Sequence, residues 1–324
     1  MTTDAIETRP DAKRLPRGFL KRLTPGGITA LAMLAIFGVC ISLQPQVMSV
    51  NGLNLILSSM LPLVFASLAQ MLVMSAGDID LGIGAFVGLI SAVSATALSN
   101  NGFLGLLMLL GFVLAYGLLG ILIEWRKVPS LIATLGASFV WIGLGLFLLP
   151  RPGGAAPDLL RKIVSLRLSW FPVPLLIIIL GGLGTWFFMQ RMQTGAKIRA
   201  LGSNKVALRR WGNSGFKIRG YAYLGAGVLG VLAGLFLAGE IGGGDVMASA
   251  DYTLISVAAV ILGGGTFYGG RAPAWGTVFG AVTFGLLTVL LSFMSLSSTL
   301  QPAIQGGIVI LALAGRLIVE KVIK

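Results

Sequence analysis

Residues 75–86 read SAGDIDLGIGAF and place two carboxylates, Asp78 and Asp80, in otherwise strongly apolar sequence. A charged side chain near the centre of a bilayer costs at least about 2.5 kcal/mol, so such acids face a protein interior or water. Three glycines around the acids let the backbone leave helical geometry, which is tolerated at membrane depth only inside protein or beside a cavity. The stretch therefore predicts a broken helix within a helical bundle. These glycines are Gly77, Gly82 and Gly84.

The whole composition is that of a membrane protein. Hydrophobic residues make up 56% of the chain and charged residues 11%, against roughly 45–50% and 25% in soluble domains. Apolar windows long enough to cross about 30 Å of hydrocarbon recur along the chain. We predict an all-α polytopic fold with about ten transmembrane helices. The predicted spans are 27–43, 53–75, 81–99, 103–123, 131–149, 173–189, 221–239, 253–265, 272–292 and 300–318.

The distribution of positive charge predicts the orientation. With the N-terminus inside, the cytoplasmic segments hold 20 of the 24 Lys and Arg residues, as the positive-inside rule requires. Both termini are then cytoplasmic, and no cleavable signal peptide is apparent. We divide the chain into a basic cytoplasmic tail, 1–23, and a single transmembrane domain, 24–324, with a cytoplasmic loop at about 190–219. The net charge of +13 reports this orientation rather than a nucleic-acid partner.

Several kinds of chemistry are excluded by residues that the sequence lacks. It contains no histidine and one cysteine, Cys40, so nucleophile pairs with histidine, histidine metal sites and intrachain disulfides are ruled out. Cys40 lies in an apolar run and is interpreted as a packing residue. No GxxxxGK[ST] motif occurs, so the chain has no phosphate-binding loop for ATP. We expect no catalytic site, no metal site and no cofactor in this chain.

The two acids leave three interpretations open. They cap the N-terminus of the third helix, where a carboxylate accepts free backbone N–H groups. Alternatively they line or gate a solute path, or one of them relays protons. These roles do not exclude one another, since a broken helix beside a pathway also needs capping.

Two further segments stand out. Residues 191–219 carry eight basic residues and no acid, with apolar residues interspersed, which predicts one or two short amphipathic helices at the cytoplasmic surface. This segment is either a basic loop held to anionic lipid or a docking surface for a partner.

The second segment is 258–282, in which five glycines lie between positions 263 and 270. This glycine density excludes one continuous helix. The segment forms a cytoplasmic turn anchored by Arg271 or a mobile element near a gate.

Motifs from these segments, in this order, resemble a known family. Residues 77–84, GDIDLGIG, are similar to its glycine-IDLSVG motif, and Pro129 with residues 131–136 to its PxFIATLG motif. The loop 191–219 is similar to the family's cytoplasmic signature. Asp251, Tyr252 and the glycines that follow them are similar to its C-terminal signature. The chain thus resembles the permease subunits of ribose/xylose/galactose-type ABC importers, which are related to branched-chain amino acid permeases.

The resemblance implies a type II ABC importer-like fold in the bacterial inner membrane, importing a monosaccharide or similar small polar solute. Two permease chains, as a homodimer or a paralogous heterodimer, would work with two ATP-binding cassette subunits, which hold ATP and Mg, and a periplasmic substrate-binding protein. The implied pathway or gate residues are Gly77, Asp78, Asp80, Gly82, Gly84, Thr134, Gly136, Gly263, Gly264, Gly269 and Gly270. The implied ATPase-coupling residues are Thr194, Gly195, Arg199, Gly202, Asn204, Ala207, Arg209 and Arg210.

Alternatives to this function remain. A self-sufficient secondary transporter would use Asp78 or Asp80 as a proton carrier. An ABC permease of the same kind would carry a branched-chain amino acid, a nucleoside or a polyol instead. A membrane assembly protein without transport activity would tolerate replacement of Gly202 or Arg209 with no effect on uptake.

Overall fold

The computed structural model describes residues 25–166, 168, 170–296, 300, 301, 303–308 and 310. Within these residues the chain is helical, with no β-strand beyond one isolated bridge. Residues 303–308 are helical as well. The helices with defined bounds are α1 (Pro25–Leu43), α2 (Val50–Ser75), α3 (Ile83–Val93), α4 (Gly102–Arg126), α5 (Ser130–Leu148), α6 (Asp158–Ser165), α7 (Val173–Arg191), α8 (Gln193–Ser203), α9 (Lys205–Arg210), α10 (Gly215–Ile241), α11 (Tyr252–Leu262) and α12 (Ala274–Phe293).

Seven of the described helices are long and apolar enough to cross a membrane: α1, α2, α4, α5, α7, α10 and α12. Two predicted spans are shorter, because α3 with its π-helical extension ends at Leu98 and α11 has only 11 residues. The predicted span 300–318 lies largely outside the described residues, and the predicted tail 1–23 lies outside them entirely. A polytopic helical membrane protein is confirmed, while the number ten and the cytoplasmic location of both termini stay predictions.

Helix α2 is the centre of the bundle. Every residue from Met60 to Ala76 is buried, and α10, α11 and α12 all pack against it. Helices α4 and α5 lie outside, with large apolar side chains such as Leu106 and Phe147 exposed. Because lipid is as apolar as these side chains, such faces are suited to contact with hydrocarbon. The most apolar window of α2 is 83% buried, whereas that of α5 is 22% buried.

The predicted broken helix is confirmed. Helix α2 ends at Ser75 and α3 begins at Ile83, so residues 76–82 form a non-helical break. Gly77 has φ +88°, a left-handed conformation that glycine adopts without steric cost. Asp78, Asp80 and Gly82 of the break are buried, as is every residue of α3, whereas Gly77 is exposed. Most of the break is thus enclosed by protein, as irregular backbone at membrane depth requires.

A second irregular segment, residues 242–251, joins α10 to α11 and packs along α3. The Ser249 hydroxyl donates to the Gly84 carbonyl at 2.8 Å, and the Asp245 N–H donates to Ser91 Oγ at 3.2 Å. Gly244 pairs with Gly153 as the isolated antiparallel bridge. The short helix α3 is therefore hydrogen-bonded to a side-chain hydroxyl and to backbone groups of a segment distant in sequence.

The other two sequence predictions about local structure are also confirmed. Helices α8 and α9 are the two short helices expected in 191–219. Between α11 and α12 the chain is non-helical over 263–273, so 258–282 is not one helix. Helix α6 was not predicted, although Pro157 before its start and Asp158 in its first turn are ordinary signals of a helix N-terminus.

Candidate functional site

Asp80 is fully enclosed in the break between α2 and α3, with 1% of its surface exposed. Its Oδ1 accepts the Gly82 N–H at 2.7 Å, and its Oδ2 accepts a hydrogen bond from the Tyr116 hydroxyl. The Gln70 amide faces the backbone N–H and C=O of Asp80, each at 3.2 Å. A buried carboxylate is stable only when such donors satisfy it, so these contacts fix the conformation of the break.

Aromatic rings enclose the Tyr116 end of this site. Tyr116 lies 4.5 Å from Phe86, 6.2 Å from Trp141 and 6.2 Å from Tyr223, measured between ring centroids. Tyr116 and Tyr223 have no exposed surface. The rings exclude water, so the hydrogen bond between Tyr116 and Asp80 lies in surroundings of low dielectric, where polar contacts are stronger and losing one is more costly.

The free N–H groups at the start of α3 find partners on other helices. The Leu81 N–H donates to Thr134 Oγ1 at 2.9 Å, and the Gly84 N–H donates to Thr253 Oγ1 at 3.1 Å. Asp80 adds the bond to Gly82, the residue before α3. Asp80 therefore contacts the backbone just before α3, although its side chain does not cap the helix itself, while Asp78 faces elsewhere.

Asp78 forms an ion pair instead. Its Oδ2 lies 2.9 Å from Arg219 Nε, and Arg219 Nη1 lies 2.8 Å from Glu124 Oε2. All three side chains are buried: Asp78 is 6% exposed, Arg219 is 12% exposed and Glu124 is 8% exposed. Burying an isolated charge is strongly unfavourable, so each of these groups depends on its partner.

Glu124 connects this buried pair to α9. Its Oε2 lies 2.8 Å from Lys205 Nζ, and its Oε1 lies 3.2 Å from Arg209 Nη2. We call the five residues Asp78, Arg219, Glu124, Lys205 and Arg209 the ion network. The network runs from the break after α2, across α10 and the end of α4, to the surface helix α9.

A second connection joins the same elements through glycine backbone. The Gly270 N–H donates to the Ser75 carbonyl at 3.0 Å. A Cβ atom on Gly202 would lie 2.6 Å from Gly270 N and would also overlap the Ser75 carbonyl oxygen, and one on Gly269 would lie 2.7 Å from Gly77 Cα. We call Gly77, Gly202, Gly269 and Gly270 the glycine junction. Here α8, the break and the loop 263–273 approach each other more closely than any side chain would allow.

The remaining predicted gate residues lie in different places. Gly263 packs against Gly276 of α12, and Gly264 has φ +103° at the end of α11. Thr134 of α5 contacts the break through the Leu81 N–H, as described above. Gly136 is exposed on α5, with no atom within 4 Å of an added Cβ, so the structure does not bring it to the other gate residues.

The remaining predicted coupling residues lie on or beside α8 and α9. Asn204 caps α9 by accepting the Ala207 N–H at 2.9 Å, and an added Cβ on Gly195 would overlap the backbone of α7. Arg210 is exposed. Arg199 lines a separate cavity together with Arg271, and Thr194 lies in the first turn of α8.

Sequence reasoning missed four residues that complete the site: Gln70, Tyr116, Glu124 and Arg219. Glu124 was detectable, because it is an acid near the end of an apolar helix, and such residues are functional candidates by default. Tyr116 lies eight residues earlier on α4, close to the same helical face. Arg219 was counted only as one of eight basic residues in its segment.

The fold and this site are those of a multi-pass helical membrane protein with a buried network of charges. Residues 52–313 match the family described as the branched-chain amino acid transport system permease component. The chain belongs to this family. The family and the seven helices of spanning length confirm the predicted location in the bacterial inner membrane, with several membrane crossings.

Curated relatives extend over most of the chain. The autoinducer 2 import system permease protein LsrC of Enterobacter sp. (strain 638) is 30% identical, over 89% of this chain and 85% of its own length. The ribose import permease protein RbsC of Escherichia coli (strain K12) is 26% identical, over 96% of this chain and 98% of its own. The D-allose transport system permease protein AlsC of the same strain is 26% identical, over 87% of each chain. No solved structure matches the chain significantly.

Proposed function

We propose that this chain is the membrane-spanning permease subunit of an ATP-driven ABC importer for a monosaccharide or similar small polar solute. The observation that carries the proposal is the similarity to permeases named for ribose, D-allose and autoinducer 2 import over 85–98% of their lengths. The chain lacks a phosphate-binding loop motif. ATP and Mg would therefore bind to separate ATPase subunits.

The end of the bundle that carries α8, α9, Arg126 and Arg271, here called the basic end, faces the cytoplasm in this proposal. The positive-inside rule supports this orientation. Two ATPase subunits would dock on α8 and α9, and a periplasmic protein would deliver the solute at the opposite end. A second permease chain, identical or paralogous, would complete the pathway.

The ion network supplies a route for coupling. Lys205 and Arg209 belong to α9 and contact Glu124, while Arg219 contacts both Glu124 and Asp78. A displacement of α9 by a partner would remove both of its cations from the buried Glu124 carboxylate and leave that carboxylate with Arg219 alone. The break between α2 and α3 would then follow α9 between two discrete arrangements, as expected of a packed bundle that is bistable rather than continuously deformable.

The glycine junction supports the same route. Gly202 of α8 contacts the backbone of the break and of the loop 263–273 without an intervening side chain. A movement of α8 therefore reaches both segments directly. In the proposed mechanism, binding of ATP by the partners and of the loaded solute-binding protein would bias which arrangement is populated.

Reconstitution tests the function. The purified permease is placed in liposomes with or without its cognate ATPase and solute-binding subunits, and uptake of radiolabelled D-ribose is followed. We expect uptake only when all subunits and ATP are present. Uptake driven by a proton gradient with the permease alone would instead establish a secondary transporter.

The solute class is tested in the same vesicles. Unlabelled D-ribose, D-allose, leucine, inosine and ribitol are compared as competitors of transport or as stimulators of ATPase activity. We expect the monosaccharides to be effective. If only leucine, inosine or ribitol were effective, the proposed solute would be an amino acid, a nucleoside or a polyol instead of a monosaccharide.

A further inference from the structure

A cavity at the basic end is lined by no residue of the ion network and by no residue of the break. It has a volume of about 700 Å³ and lies where α1 and α12 begin and α7 ends, with α8 along one side. Two arginines line it, Arg199 and Arg271. Its other prominent side chains are Trp186, Gln190, Trp275 and Phe279.

The positive charge in this cavity is not neutralised by the residues that the structure describes. None of the lining residues is acidic, and neither Arg199 nor Arg271 takes part in the ion pairs found among the described residues. Arg199 Nη1 is buried without a hydrogen-bond partner there. In the ion network, by contrast, each cation faces a carboxylate. A buried, unsatisfied guanidinium nitrogen is unfavourable, and an anionic ligand would satisfy it.

The backbone adds to this preference for an anion. Helix α12 has 20 residues and begins at Ala274 with no side-chain cap, so the positive end of its dipole faces the cavity that Pro273 and Ala274 line. Free N–H groups at a helix start are common partners of phosphate. The helix start is secondary here, because the two arginines are the primary observation.

The apolar part of the cavity indicates what carries the anion. Trp186 and Trp275 are partly exposed, and tryptophan is enriched where membrane meets water. Helices α1 and α7, which flank the cavity, both pack on α12 and expose apolar side chains such as Leu34 and Phe187. A ligand with a negative head and hydrocarbon chains matches this combination better than a free anion.

We propose that this cavity binds the phosphate headgroup of an anionic phospholipid from the cytoplasmic leaflet. Arg199 and Arg271 would contact the phosphate oxygens, and the acyl chains would follow Trp275 and Phe279 towards the bilayer interior. Basic pockets between membrane helices at the cytoplasmic side suit such headgroups. The lipid would join α8 to the starts of α1 and α12. This inference needs neither the proposed solute nor the ATPase partners.

Native mass spectrometry of the purified full-length permease tests the site. The protein is titrated in detergent with phosphatidylglycerol and, separately, with phosphatidylcholine of the same acyl chains. We expect saturable retention of phosphatidylglycerol and weaker retention of phosphatidylcholine. Arg271→Gln should weaken phosphatidylglycerol retention roughly tenfold, since a hydrogen bond to a charged group contributes about that factor, and Arg271→Lys should restore part of it.

Arg126→Gln is the matched control, because it removes one exposed cation from the same end outside the cavity. It should leave retention unchanged. Size-exclusion profiles of all variants establish that they are folded, and Arg199→Gln replaces Arg271→Gln if the latter aggregates. Equal retention of the two lipids, or equal loss in Arg126→Gln and Arg271→Gln, would overturn the proposal. Displacement of the lipid by millimolar inorganic phosphate would show a free-phosphate site and would also overturn it.

Discussion

The Glu124 carboxylate lies 2.8 Å from the Arg219 guanidinium, with both side chains almost completely buried. Glu124 also contacts two cations of α9, and Arg219 also contacts Asp78. This one pair therefore connects a surface helix to the acid at the break in the central helix. Replacement of Arg219 leaves the buried Asp78 without its ion-pair partner, whereas replacement of Glu124 leaves Arg219 paired with Asp78 alone.

Glu124→Gln should destabilise the protein and reduce transport. The variant leaves Lys205 and Arg209, whose side chains are 40% and 59% exposed, without their carboxylate, and it leaves Arg219 paired with Asp78 alone. The expected loss of stability is therefore below the roughly 3–5 kcal/mol of a buried ion pair that loses its only partner. We expect a lower thermal midpoint in detergent, together with ATPase activity of the assembled complex that no longer produces uptake. Asp158→Asn is the control, since it removes an exposed ion pair with Arg161 and should change stability by less than about 1 kcal/mol. Equal midpoints for both variants would contradict the role assigned to Glu124.

Tyr116→Phe should destabilise the break without changing its shape. The substitution keeps the ring among its aromatic neighbours and removes only the hydroxyl that donates to Asp80. A lost hydrogen bond to a charged group costs about 1.5–3 kcal/mol, so the thermal midpoint should fall. Tyr221→Phe removes a hydroxyl from a 52% exposed tyrosine of α10 and should have no measurable effect. If the thermal midpoint fell equally in both variants, the hydrogen bond to Asp80 would contribute no more stability than an exposed hydroxyl does.

Gly202→Ala should impair coupling through a backbone clash. The added methyl group would overlap the Ser75 carbonyl oxygen and approach Gly270 N to 2.6 Å, so α8 must move away from the break. We expect ribose uptake by the assembled importer to fall at least tenfold, a shift of about 1.4 kcal/mol, while the variant still inserts. Gly143→Ala is the matched control, because its added methyl meets no atom within 4 Å. Normal uptake by Gly202→Ala would exclude the glycine junction from coupling.

Gly136→Ala should leave transport unchanged. Sequence resemblance places Gly136 among the gate residues, but in the structure it is exposed on α5 with open space around it. Alanine is favoured over glycine in a helix by about 0.5–1 kcal/mol, so stability should be equal or slightly higher. The measurement is ribose uptake by the reconstituted importer, compared between Gly136→Ala and the unchanged protein. A clear loss of uptake would mean that this face of α5 meets a second permease chain.

The features that could be predicted from sequence are those encoded locally. The break at 76–82, the two helices in 191–219 and the interruption after Leu262 each follow from glycine density and charge pattern within a short stretch. Similarity in four separate motifs was enough to indicate the family. Spanning helices were predicted well where apolar runs were long, and α3 and α11 turned out shorter because irregular segments follow or precede them.

The features that could not be predicted depend on contacts between distant segments. Asp78 and Asp80 look equivalent in sequence, yet one pairs with Arg219 of α10 and the other with Tyr116 of α4. Which acid pairs with which helix was decided by the directions in which α4 and α10 present their side chains. The exposure of Gly136 likewise follows from how α5 is rotated in the bundle, which a motif does not report.

The break in the central helix also constrains the order in which the polypeptide matures. The break and the first turn of α3 obtain partners from Thr134, Arg219 and Thr253, all of which are synthesised after residues 76–84. Until the eleventh helix is made, the nascent chain carries unsatisfied polar groups that lipid cannot accommodate. A truncated product ending before Thr253 should therefore be recognised by membrane quality-control proteases, and half-length fragments should survive only when co-expressed.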